Sequence, residues 1–177
     1  MKKIILLIMA IAVFSIACDQ KGQTASKESS IIDTHKDNEK IELKDYGKDP
    51  FVFDIEDATK QNENFRTTLW TGTFMQMTLM TLKPGEDIGL ELHTGTDQFI
   101  RVEEGEGEVQ MGDSKDKLDF VRKIEDDFAF FIPAGKWHNL KNTGNEPLKL
   151  YSIYAPPQHP HGTVHETKAD AEAEHGH

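Results

Sequence analysis

Cysteine is nearly absent. Cys18 is the only one in 177 residues, so no disulfide can form within the chain and the fold must rest on its own core. Basic residues are in deficit, with 20 lysines and arginines against 31 aspartates and glutamates and a formal net charge of -11. That balance argues against nucleic acid as a partner, because phosphate binding needs a basic surface; an acidic surface keeps a protein soluble. Long apolar runs are missing too. The one sustained stretch, Ile4 to Ile16, falls short of the roughly 20 residues that a helix needs to cross a bilayer. Past residue 50, no segment of ten or more residues has helical periodicity. What remains, 37% hydrophobic and 29% charged, supports one domain plus terminal extensions.

The N-terminus is the clearest signal. Lys2 and Lys3 precede the apolar run, which ends in Ser15-Ile16-Ala17-Cys18. A basic start and a short apolar core read as an export signal. A lone thiol in an exported protein can be reactive, a crosslink or simply buried, but none of these explains its place at the end of a signal peptide. The last four residues resemble the bacterial lipobox. The resemblance implies a signal peptide over residues 1–17 and Cys18 as the lipidated first residue of an exported, membrane-anchored protein of the cell envelope or periplasm. Several acyl chains would be needed for firm anchoring, since one binds only marginally. Losing Lys2 and Lys3 would take the charge from -11 to -13.

Residues 18–49 are polar and charged, a composition that buries too little surface to order itself. They are expected to form a flexible linker with a reach of roughly 30 Å; His35 lies in it and is given no role. From Pro50 the pattern changes. Apolar, β-branched and aromatic runs are expected as strands at 51–55, 65–70, 74–82, 89–93, 98–104, 107–111, 118–124, 128–132, 137–142 and 148–154, with turn signals between most of them, and residues 57–64 as a short helical turn or loop. Many short strands at such spacing mean an all-β sandwich or barrel, here over residues 50–160. Residues 161–177 are expected as a C-terminal strap and tail, with Glu166 to Glu174 helix-prone but lacking an apolar face.

Period-two spacing places chemistry. In the run from Gln98 to Glu103, the set Gln98, Ile100 and Val102 is expected to face inward. A buried Gln98 amide then needs a partner, either a metal or substrate or a backbone group. Glu91 and His93 share a strand face, and His138 enters from a later strand. Two imidazoles and a carboxylate beside an open cavity form the facial arrangement of non-haem Fe(II) sites, and the same set suits zinc; manganese and nickel are also compatible, and the affinity order does not choose among them. Glu91, His93, Gln98 and His138 are therefore the candidate metal ligands. Glu91 is also a candidate general base. Trp137, Phe128, Phe130, Phe131, Met75 and Met77 are expected to line or pack the barrel, and Arg66 and Arg101 to make surface ion pairs. One hydroxyl of Tyr151, Ser152 or Tyr154 is expected to face the cavity.

Here a resemblance becomes specific. Pro84-Gly85, five residues, Glu91-Leu92-His93, four residues, Gln98, six residues, Gly105 resembles the first motif of the cupin superfamily: Pro-Gly, five residues, His-x-His, three or four residues, Glu, six residues, Gly. Pro133-Ala134-Gly135, two residues, His138, three residues, Asn142 resembles the second, Pro-x-Gly, two residues, His, three residues, Asn. The resemblance implies a double-stranded β-helix, or jelly roll, with a metal in its lumen, and a homodimer. Two positions depart from the pattern: Glu91 stands where the family has histidine, and Gln98 where it has glutamate. The donor count is kept and the carboxylate is moved.

These features imply a metal-binding protein, most simply a metal-dependent enzyme acting on a small molecule. A non-catalytic ligand- or metal-binding module is the alternative. A mannose-6-phosphate isomerase-like activity is a narrower version, disfavoured because sugar phosphates are scarce outside the cytoplasm and no basic cluster near the motifs offers a phosphate clamp. His159, His161 and His165 fall within seven residues and suggest either a second metal site or, as the prolines favour, a rigid strap across the barrel mouth. His175 and His177 are tail residues with little ligand potential.

Overall fold

The computed structural model describes residues 40–175; Cys18, His35 and His177 lie outside them. Two antiparallel sheets face each other. The first has the order β10-β1-β2-β9-β4-β7 and the second β3-β8-β5-β6. The strands are β1 Arg66–Thr71, β2 Gln76–Leu82, β3 Glu91–Leu92, β4 Asp97–Glu104, β5 Glu106–Gly112, β6 Phe120–Glu125, β7 Ala129–Ile132, β8 Trp137–Asn142, β9 Leu148–Ala155 and β10 Val164–His165. This is the all-β jelly roll expected from the strand pattern.

Alternation decides what lies between the sheets. Ile100 and Val102 of β4, Leu148 and Leu150 of β9, Met80 and Leu82 of β2, Val109 of β5 and Leu140 of β8 form one buried cluster. Burying a Leu or Ile side chain contributes about 1.5–3 kcal/mol, so this cluster anchors the barrel. Gln98 lies on the same inward face and is 2% exposed. The β4–β5 turn is closed by Gly105 at φ +92°, where a Cβ would meet the Pro147 carbonyl oxygen at 2.6 Å. Only glycine fits there, which explains the last position of the first motif.

A second apolar layer covers the outer face of the first sheet. Leu69, Met77, Leu79 and Tyr151 point outward and are packed by Ile41, Leu43, Tyr46, Phe51, Phe53 and Ile55. Leu69 and Trp70 both reach this layer because a bulge between Thr68 and Trp70 breaks the alternation of β1. Residues 41–49, expected within the linker, thus belong to the folded body. Asp45 ties them down: its carboxylate accepts from the Thr71 hydroxyl at 2.6 Å and from the amides of Gly47 and Gly162 at 2.8 and 2.9 Å.

Some elements differ from expectation. Residues 51–54 form no strand; the alternating Phe51 and Phe53 stack beside Tyr46 on the outer layer, while Val52 points to solvent. The chain then enters α1 (Ile55–Gln61), capped by the Asp54 carboxylate on the Asp57 amide at 3.0 Å. The tail forms a helix, α2 (Lys168–His175), although it has no apolar face. Ala171 enters the barrel core, Lys168 pairs with Asp87, and Glu174 pairs with His165 of β10. Of the aromatic and methionine candidates, Met77 is buried and Phe130 packs on the core, but Phe131, Phe128 and Met75 are exposed. Phe131 points out of β7 because its neighbours Phe130 and Ile132 point in.

Candidate metal centre

The antiparallel register of β3 on β8 sets Glu91 directly opposite His138. Directly opposed side chains in such a pair stand about 5 Å apart at Cβ, so one point is in reach of both. His93 follows β3 on the same face, and its carbonyl accepts from the Gly135 amide at 2.8 Å. That bond locks the loop carrying His93 to the Pro133-Ala134-Gly135 turn that precedes His138. The glycine of the second motif thus helps to position the histidine of the first.

One donor atom each from Glu91, His93 and His138 lies within 4.8 Å of the others. His93 Nε2 is 3.4 Å and His138 Nε2 is 3.8 Å from Glu91 Oε2. Ligands bound at about 2 Å to a common ion stand roughly 3–4 Å apart, so only slight closure is required. His138 is fully buried, and its Nδ1 lies 2.9 Å from the Lys136 carbonyl oxygen. A carbonyl can only accept, so the proton sits on Nδ1 and the Nε2 lone pair faces the cluster. Burial, together with the neighbouring His93, lowers the His138 pKa against the opposing pull of Lys136 and Glu91, which keeps the ring neutral and able to ligate.

Buried polar atoms without partners include two at this cluster. His93 Nε2, His138 Nε2 and Gln98 Oε1 have no hydrogen bond. The Gln98 amide nitrogen donates to Ser152 Oγ at 2.8 Å, which turns the carbonyl oxygen into an orphaned acceptor. Unpaired lone pairs in a protein interior cost free energy, and a cation held by the cluster would satisfy the two imidazole nitrogens. The donor set therefore fits a divalent metal. Glu91 is ionised: burial pushes its carboxyl up, but contacts with His93 and the Arg66 guanidinium outweigh burial and hold it below the ordinary carboxylate range.

The remaining candidates separate. Ser152 and Tyr154 face inward. Tyr154 is buried with its ring against those of His93 and His159, and burial raises its hydroxyl pKa. Tyr151 faces outward against Phe99. Arg101 pairs with Glu103 and Asp127. Arg66 is not on the surface: it is 1% exposed and stands 3.7 Å from Glu91 Oε1. Nothing in its local sequence marked it as interior. The three strap histidines do not converge. His159 packs on Tyr154, His161 faces Asp45 at 3.5 Å, and His165 pairs with Glu174. Among the described residues, the only group of three metal-competent side chains is Glu91, His93 and His138.

Comparisons with known proteins agree with this geometry. Residues 78–154, which carry both motifs, match the cupin domain family. The chain is 66% identical over 131 residues to YrkC of Bacillus subtilis, an uncharacterized protein, covering 74% of this chain and 70% of that one. Protein L612 of Acanthamoeba polyphaga mimivirus, also uncharacterized, is 37% identical over 115 residues, with 64% of this chain and 70% of that one covered. Among solved structures, the crystal structure of BH2720 from Bacillus halodurans superposes with a TM-score of 0.74 at 64% identity, covering 74% of this chain and 99% of that one. With two sheets in a jelly roll, both motifs in place and relatives at this identity, the chain belongs to the cupin family.

Proposed function

We propose that this protein is an exported lipoprotein whose cupin barrel binds one divalent metal ion through Glu91, His93 and His138, with Gln98 as a weaker fourth oxygen ligand, and that it acts on a small molecule at that ion. The observation that carries the proposal is the meeting of two imidazole Nε2 atoms and a carboxylate, the Nε2 atoms being buried without hydrogen bonds. Export and anchoring rest on the N-terminal sequence ending in Cys18, outside the described residues. Iron, manganese, nickel and zinc all accept this mixed nitrogen and oxygen set. A bound ion would act as a Lewis acid or, if iron, in redox chemistry. Glu91, ionised at neutral pH, either ligates or takes a proton. A sugar-phosphate isomerase would need a clamp for a dianion. Among the described residues, the basic side chains lining the cavity beside Glu91 are Arg66 and Lys168, and Lys168 is already paired with Asp87, which disfavours that narrower version.

Elemental mass spectrometry tests the proposal, using full-length protein purified without a histidine tag beside its His93→Ala/His138→Ala variant. About one ion per chain in the native protein and none in the variant is the expected result. If the native protein stays empty after reloading with Fe, Mn, Ni, Co and Zn, the metal proposal fails and a non-catalytic ligand-binding module remains. If metal binds but no turnover follows across redox, hydrolytic and isomerase screens, the barrel is a metal-binding module rather than an enzyme.

A further inference from the structure

Arg66 carries a charge that the ligand set does not use. Its side chain is 2% exposed, and its backbone is held between β2 and β10 opposite Met80 and His165. The Nε–H is buried and meets no acceptor. Glu91 Oε1, at 3.7 Å, lies beyond hydrogen-bonding distance, and the Phe65 ring lies 5.5 Å from the guanidinium carbon. Buried guanidinium groups are normally paired and hydrogen-bonded, because an isolated buried charge is costly. Among the described residues, the carboxylate that Arg66 pairs with is Glu91, which a metal would take as a ligand. Once Glu91 is shared with a divalent cation, positive charge is in excess around Arg66.

Beside this pair lies a cavity of about 270 Å³, between the segment leading into β3 and α2. It is lined by Arg66 and Glu91 together with Phe65, Ile88, Leu90 and Ala171, and also by Lys168 and Glu172, which stand 3.8 Å from one another. At ~30 Å³ per water, it holds a molecule of modest size. Walls that are mostly apolar, with an under-paired guanidinium on one side and Lys168 and Glu172 paired with each other, suit a short apolar body ending in a planar anion. A guanidinium fork matches a carboxylate in two parallel hydrogen bonds. We propose that this cavity binds a small monocarboxylate through Arg66, which makes carboxylates the substrate class of the metal site; in the wild-type protein this rests on the metal-centre proposal. Arg66 is exchanged from Glu91 to the ligand when the ion binds, so metal-free wild-type protein binds carboxylates poorly.

The same logic supplies a metal-independent test, because Glu91→Gln also frees Arg66. Isothermal titration calorimetry at constant salt would compare acetate, pyruvate and benzoate with acetamide and inorganic phosphate. The full-length proteins titrated would be metal-loaded wild type, metal-free wild type, metal-free Glu91→Gln, and Glu91→Gln combined with Arg66→Gln or Arg66→Lys, each checked by circular dichroism. Carboxylates are expected to bind the loaded wild type and metal-free Glu91→Gln at least tenfold more tightly than the metal-free wild type. Acetamide is expected not to bind. Arg66→Gln should remove at least tenfold, and Arg66→Lys, which keeps the charge but loses the fork, should remove part of that. Carboxylate binding to Glu91→Gln in a protein that takes no metal would uphold this proposal while the metal centre falls. Metal uptake with no carboxylate bound by either protein would overturn this proposal alone. Binding confined to the loaded wild type, with none to metal-free Glu91→Gln, would put the carboxylate on the ion and overturn the role of Arg66. Phosphate binding as tightly as the carboxylates would overturn the substrate class.

Discussion

Gln76 holds the C-terminal strap with a single buried amide. Its nitrogen donates to Thr71 Oγ1 at 2.9 Å and to the His159 carbonyl at 2.8 Å, and its oxygen accepts from the Gln158 and His159 amides at 3.1 and 2.9 Å. Replacing it with leucine keeps the approximate volume but strands three strap backbone groups. Each unsatisfied buried group costs about 1–3 kcal/mol. Gln76→Leu is therefore expected to destabilise by about 3 kcal/mol or more and to lower the melting temperature by roughly 10 °C, as read by thermal circular dichroism; a shift of about 1 °C or less would mean that the strap is held by other contacts. Neither Gln76 nor Arg66 was legible as a key residue in the sequence. Their partners lie far along the chain, His159 for Gln76 and Glu91 for Arg66, and no periodicity links such positions. Glu91, His93, Gln98 and His138 were legible because strand alternation and two short motifs place them without long-range information.

At the scale of elements, alternation worked where one face meets a core and failed where aromatics packed without a ladder. β4 and β9 turned out as their patterns indicate. Phe51 and Phe53 gave the same period-two signal from an irregular segment, because stacking on an outer sheet face also selects every second residue. The helix-prone composition of α2 was legible but its docking was not, because it needs only Ala171 and two ion pairs to dock, far less apolar surface than an amphipathic stripe would show. The N-terminal segment depends on Asp45. Burial alone would raise its carboxyl pKa, but hydrogen bonds from Thr71, Gly162 and Gly47, with the charge of His161, hold it below its ordinary 3.8. A depressed carboxyl contributes stability that is fully present above its unfolded pKa and is lost as pH falls through the folded one. Wild-type protein is therefore expected to exceed Asp45→Asn in stability at neutral pH by about 2 kcal/mol. The gap should close progressively as pH falls below about 4. Urea denaturation across pH checks this; a gap independent of pH would place the effect of Asp45 in packing rather than charge.

For the molecule as a whole, the proposed ion bridges parts that are remote in sequence. Glu91 and His138 belong to the second sheet, Gln98 to the first, and His93 to the loop tied to the turn before β8. A ligand that binds the folded chain and not the unfolded one stabilises it by mass action, by about 2.7 kcal/mol at a hundredfold excess over Kd. For a domain of this size, each kcal/mol moves the melting temperature by roughly 2–4 °C. The net charge of -11 complicates the measurement, because scattered surface carboxylates attract divalent cations weakly and also quieten self-repulsion. The two effects separate by site and by salt. Binding at the centre is expected to raise the melting temperature by roughly 5–10 °C at micromolar metal, to persist in 0.5 M NaCl, and to vanish in the His93→Ala/His138→Ala variant. Surface screening should need millimolar cation, fade in salt and survive the double substitution. A shift that behaves in the second way would mean that the barrel closes around its orphaned nitrogens without an ion, and that the cluster is held by Arg66 and Glu91 alone.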